Sequence, residues 1–169
     1  MADVKHRATS DDLAFLYSVL NYQFGRGAGA LAVELSSRLY VTRYSGGLPR
    51  VFFVDDKPFF YVNPKTGTIT LSEYSARHVF ENVDKSCKRI VVDRRVFLEH
   101  ARGSVLAPAV KAVTGDVRRG DEVFIVDESD VLLAIGKSLL GARELKGLKR
   151  GEVARVRRRL AYDEKSVQR

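Results

Sequence analysis

The spacing of apolar and polar positions changes along the chain, and each change marks a different kind of element. Ser10-Asp11-Asp12 precedes Leu13, Leu16, Tyr17 and Leu20, which recur at helical spacing. The pattern predicts a helix capped at Ser10 and ending near Gly25. Over Arg38–Tyr44 the period falls to two, with Leu39 and Val41 on one face and Tyr40 and Thr42 on the other. Arg50–Val54 and Pro58–Val62 are aromatic and β-branched, and Asp55-Asp56-Lys57 between them signals a hairpin. A second turn, Asn63–Gly67, leads into a short strand from Thr68 to Leu71, and Ser72 caps a helix running to about Phe80. Phe52, Phe53, Phe59 and Phe60 are expected in the core. One helix, an antiparallel sheet and a second helix make a small α+β domain.

Polar Glu81–Lys88 serves as a linker. Arg89–Val92 is a short strand, and Asp93 caps a helix carrying Val96, Phe97 and Leu98. After that the pattern becomes short strands between glycine-containing turns: Glu122–Val126, Val131–Ile135 and a final strand Val153–Leu160. A short basic helical piece sits near Leu140–Leu145. Such spacing suggests a small barrel. The predicted organisation is α+β: an N-terminal domain over 1–87, a barrel over 88–161, and a polar tail over 162–169.

With 45% hydrophobic and 30% charged residues the 169-residue chain has a globular composition. No apolar run approaches the ~18 residues that cross a bilayer, and the first residues lack a signal peptide's apolar centre. A cytoplasmic location is expected. Scarce Asn, Gln, Cys and Met beside abundant charge points to a heat-adapted source. Cys87 is the only cysteine, so neither an internal disulfide nor a cysteine zinc site can form. His6, His78 and His100 show no ligand spacing, so no metal and no cofactor are expected. Gly25-Arg26-Gly27-Ala28-Gly29 has the look of a dinucleotide turn, but it follows a helix where such a turn follows a strand. The acidic residues cluster at turn positions, and no nucleophile–base set can be assembled. The chain is expected to be non-catalytic.

Charge changes the picture most. The net charge is +8, and residues 88–169 carry 19 basic and 12 acidic side chains. Arg143–Arg159 alone holds eight basic and two acidic. A lopsided positive field attracts a polyanion, with RNA the first candidate. In a strand over Val153–Leu160, Ala154, Val156 and Leu160 would point inward while Arg155, Arg157 and Arg159 line the outside. Three guanidiniums in a row repel one another unless phosphates neutralise them. These three are the first-choice RNA contacts. Lys111, Arg118, Arg119, Lys137, Arg143, Lys146, Lys149 and Arg150 form the second rank.

Gly103–Pro108, Gly115-Asp116-Val117-Arg118-Arg119-Gly120-Asp121 running into Glu122–Val126, Leu132-Leu133-Ala134-Ile135-Gly136-Lys137 and Arg150–Arg157 together resemble the PUA domain. Many members have Pro-Gly-Val where this chain has Pro108-Ala109-Val110. Asn21–Gly29, Arg50–Asp56 and Thr68–Ser72 resemble the domain that precedes PUA in archaeal tRNA-guanine transglycosylase and archaeosine synthase. The resemblance implies a pseudo-β-barrel, RNA contact near Gly115–Arg119 and around Ser138–Arg143, and tRNA as the RNA. It also implies a separate transglycosylase catalytic subunit as a partner, since that family's catalytic barrel, nucleophilic aspartate and zinc cysteines have no counterpart here. A ribosome-biogenesis or translation factor binding ribosomal RNA, and a module docking an acidic protein, remain as alternatives.

Overall fold

Thr9, rather than Ser10, starts the first helix, because the residue three positions on is a carboxylate that closes a reciprocal cap. Thr9 N–H donates to Asp12 Oδ2 at 2.9 Å, and Asp12 N–H donates to Thr9 Oγ1 at 3.3 Å. The computed structural model describes residues 4–100 and 102–160, and the chain falls into two compact units that divide between Asp84 and Lys85. The expected polar tail, 162–169, lies outside the described residues.

In the first unit, helix α1 (Ser10–Phe24) buries Leu16, Leu20 and Phe24. Two elements escaped the sequence pattern: a two-residue strand β1 (His6–Arg7) and a short helix α2 (Ala30–Glu34), both too brief to show a period. Strands β2 (Leu39–Arg43), β3 (Pro49–Val54), β4 (Lys57–Val62) and β5 (Ile69–Leu71) follow, then helix α3 (Glu73–Asn82). The sheet is an antiparallel meander in the order β1-β2-β3-β4-β5. Val54 pairs with Lys57 across Asp55 and Asp56, whose φ values of 48° and 63° suit a two-residue hairpin turn. Leu39, Val41, Phe52, Phe59 and Phe60 are buried as expected. Phe53, on the opposite face, is half-buried beneath the Lys5 ammonium, 4.3 Å from its ring centre.

The second unit runs β6 (Arg89–Val92), α4 (Arg94–His100), β7 (Ser104–Leu106), β8 (Val110–Val113), β9 (Glu122–Val126), β10 (Leu132–Ser138), α5 (Ala142–Leu145) and β11 (Glu152–Arg159). Asp93 caps α4 as expected, accepting from Val96 N–H at 3.0 Å. The six strands form one curled sheet ordered β7-β11-β10-β9-β6-β8, with β6 and β9 parallel and every other pair antiparallel. Its core gathers Ile90, Phe97, Val105, Val123, Ile125 and Val153. Lys88, at the end of the polar Glu81–Lys88 stretch, is buried here. Its ammonium pairs with Asp121 at 2.6 Å, and Arg89 reaches Asp130 at 2.8 Å. Ala109 is buried in a 3-10 turn over Ala107–Ala109.

Candidate nucleic-acid interface

Strand β11 runs between β7 and β10, so a side chain on its outer face has neighbours on both sides. Arg155 pairs with Ser104 on β7 and with Lys137 on β10, and Lys137 pairs in turn with Glu122 on β9. Residues directly opposite in a sheet share a face, so one row reads Ser104, Arg155, Lys137, Glu122. Gly136 lets β10 and β11 approach closely: a Cβ there would stand 2.3 Å from the Arg155 carbonyl oxygen. The Lys137 stem lies beside Gly120 in the β8–β9 turn that carries Arg118 and Arg119, and Gly120 N–H donates to Ser138 O at 2.8 Å. Arg155, Lys137, Arg118 and Arg119 are all exposed.

The expected alternation of β11 fails after Val156. Val156 pairs with Gly136 and Arg158 with Ile135, leaving Arg157 as an extra residue in a β-bulge. Beyond the bulge the parity reverses. Arg158 takes the outward position, while Arg159 pairs with Ala134 on the core-facing side. Exposed Arg159 lies over the Phe97 ring, 5.5 Å from its centre. The ring borders an apolar hollow of about 180 Å³, whose walls include Val96, His100, Leu106 and Pro108. Arg157 turns onto the Glu122 carboxylate. Burial, and then the adjacent Arg158 charge, pull the Arg157 pKa below its ordinary value.

An open groove of about 410 Å³ separates Gly115, Arg118 and Arg119 from Gly141 and Arg143. Ala142 N–H, donating to Val117 O at 2.9 Å, ties its two walls together.

Residues 88–160 match the PUA domain model, and residues 15–85 match the patch-forming domain C2 of tRNA-guanine transglycosylase. The chain joins a C2 patch-forming domain to a PUA domain. The tRNA-guanine(15) transglycosylase of Methanothermobacter thermautotrophicus is 31% identical over 151 residues, covering 89% of this chain and 23% of that protein. That of Thermococcus kodakarensis is 33% identical over 149 residues, covering 85% and 24%. The chain therefore spans about a quarter of the length of these relatives, at their C-terminal end. A hypothetical protein from Pyrococcus horikoshii OT3 shares the fold, with a TM-score of 0.68 at 23% identity over 98% of this chain and 100% of that one.

Within the PUA domain the sequence-selected residues do not all come together. Arg155, Lys137, Arg118, Arg119 and Arg143 line the row and the adjoining groove. Lys146, Lys149 and Arg150 are exposed at the end of α5 and on the turn before β11. Lys111 is elsewhere, on the β8 edge strand, 3.6 Å from Asp93. Sequence reasoning missed Glu122 and Arg158, since no local pattern announces a bulge. In the C2 domain, the Gly25–Gly29 turn connects α1 to α2. Gly27 and Gly29 N–H both donate to Asn21 Oδ1 at 2.9 Å, so those donors are already taken. No group of three His, Cys, Asp or Glu among the described residues is placed to hold a metal. No helix among them is long and apolar enough to cross a membrane.

Proposed function

We propose that this chain binds structured RNA, with tRNA the favoured form, in support of base modification carried out by a separate catalytic subunit. The reading rests above all on one observation: the C2–PUA pair matches relatives named for guanine exchange at position 15 of tRNA, over about a quarter of their length. The surface chemistry agrees with it. Exposed guanidiniums on a rigid sheet neutralise phosphates and fix register, and the apolar hollow beside Arg159 suits the face of an unstacked base. Binding energy supplied away from the reacting atoms helps position a substrate, whether the binding module is tethered or separate. A separate module gives up the high effective concentration of a linker, so it needs RNA affinity of its own.

Fluorescence anisotropy with a tRNA transcript and a ribosomal RNA fragment, at two salt concentrations, tests the binding. tRNA is expected to bind more tightly, with affinity falling steeply as salt rises. Tighter ribosomal binding moves the protein to ribosome assembly, and a flat salt response removes the electrostatic reading. Adding the protein to a transglycosylase that lacks its own PUA domain is expected to raise guanine exchange into tRNA. An unchanged rate and tRNA affinity at saturation would sink the accessory role.

A further inference from the structure

The outward row of the PUA sheet has one acidic member. Glu122 shares the row with Lys137 and Arg155, and its side chain is only 8% exposed. A carboxylate buried so deeply needs a cation against it, and the bulge in β11 supplies one. The extra residue, Arg157, brings its guanidinium onto Glu122 and is left 35% exposed. Without the bulge, alternation would send residue 157 outward at the same spacing from Arg155 as any next-but-one neighbour. With it, the guanidinium is bonded inside the protein.

We infer that Glu122 is an affinity- and specificity-determining residue: it competes internally with RNA phosphate, holding Arg157 and reducing the positive field of Lys137 and Arg155. This rests on the reading that the row contacts RNA. A phosphate can take Arg157 only by displacing a carboxylate already in place, so a bare polyanion gains less from this surface than its cation count suggests. RNA that also matches the groove and the hollow in shape loses nothing. The arrangement trades affinity for any polyanion against preference for folded RNA.

The test compares wild type with Glu122→Gln, Arg157→Gln, their double variant, Arg155→Ala and Lys137→Ala. Each is titrated with a tRNA transcript and with single-stranded oligouridylate across a salt series. Thermal melts report folding. Glu122→Gln is expected to tighten oligouridylate binding about three- to tenfold, to tighten tRNA less, and to steepen the salt slope by about one. Arg157→Gln alone is expected to cost less than about twofold, against about three- to fivefold for Arg155→Ala. The double variant is expected to return close to wild type, which places the gain on Arg157. If Glu122→Gln folds and leaves both affinities unchanged while Arg155→Ala and Lys137→Ala weaken them, the inference fails and the interface stands. If Arg155→Ala and Lys137→Ala change nothing either, the interface is misplaced and the inference falls with it. Should Glu122→Gln not fold, Arg157→Gln decides: a loss matching that of Arg155→Ala overturns the proposal, and a loss below about twofold upholds it.

Discussion

The C2 unit holds 13 of the chain's 16 phenylalanines and tyrosines, and its nine basic and nine acidic residues cancel. The PUA unit holds the other three aromatics and the entire +8. The contrast extends to how charge is handled. In the C2 unit Arg43 meets buried Asp12 at 2.6 Å, Lys5 meets Asp56 at 3.1 Å, and Arg38 is bonded to Asp55. In the PUA unit the buried cations Lys88 and Arg89 are matched to carboxylates, whereas Arg155, Lys137, Arg118, Arg119 and Arg143 stand exposed. Matched charge contributes to architecture. Unmatched charge on a rigid surface is unfavourable in isolation and becomes favourable against an anion. One unit packs rings and carries no net charge, while the other carries its positive surface on a core that is largely aliphatic around Phe97.

A steric substitution in each unit should have the largest effect. A Cβ on Gly29 would meet the Tyr17 carbonyl oxygen at 2.4 Å, and one on Gly136 would meet the Arg155 carbonyl oxygen at 2.3 Å. Backbone cannot swing aside as a side chain can, so Gly29→Ala and Gly136→Ala should each cost about 2–4 kcal/mol in urea unfolding. Their effects on RNA should differ. Gly136→Ala pushes β11 away from β10 and disturbs the Arg155–Lys137 row, so it should weaken tRNA binding under conditions where the protein remains folded. Gly29→Ala should leave that affinity alone. Equal loss of binding in both would show that the C2 unit contributes to recognition directly.

How far the sequence led follows the same division. Period-two and period-3.6 patterns located β2 to β5, α1, α3, β6, α4, β9 and β11, because long or strongly alternating segments carry their burial in the pattern itself. The hairpin at Asp55-Asp56 was legible from turn chemistry alone. Strands β1, β7 and β8 span four residues or fewer and α2 spans five, and they lack the flanking turn and cap signals that mark the equally short β5 and β6. For the proposed interface, basic composition pointed to β11, and Arg155, Arg157 and Arg159 are all exposed, but strict alternation does not show the bulge that sets Arg157 against Glu122 and Arg159 opposite Ala134. The bulge depends on β11's register against β10, a tertiary property with no local signature. The pairing of Glu122 with Arg157 is hidden for the same reason: the two lie 35 residues apart and meet only once the strands are paired.

The next effect concerns charge alone. Arg155→Ala combined with Lys137→Ala should lower tRNA affinity about tenfold at ~0.1 M salt, equivalent to about 1.4 kcal/mol, with a shallower salt dependence. The matched substitution in the C2 unit, Lys5→Ala with Arg38→Ala, removes the same formal charge from positions already compensated by Asp56 and Asp55. It should change affinity by less than about twofold. Filter binding on both double variants measures the difference. If they weaken binding equally, net charge rather than its placement governs association, and the contrast between matched and unmatched cations loses its functional meaning.

The smallest effect separates the units by pH and salt. Asp55 in the C2 unit has its pKa held below the ordinary value by the Arg38 hydrogen bond, and Asp93 in the PUA unit by the Val96 backbone N–H capping α4, with Lys111 adding to it. In both cases the folded state favours the ionised form. Each contribution is therefore complete above the unfolded carboxylate's ~3.9 and is lost as pH falls through the lowered folded value. Asp55→Asn tolerates the positive φ and Asp93→Asn still caps, but neither side chain titrates. Each variant should melt about 1–2 °C below wild type at neutral pH and converge with it in acid. Salt then distinguishes them. The Asp55 gap arises from an exposed ion pair and should shrink as NaCl is raised. The Asp93 gap, held mainly by a backbone hydrogen bond, should persist. If both gaps vanish together in salt, Lys111 rather than the helix cap dominates at Asp93, and the two units handle this carboxylate in the same way.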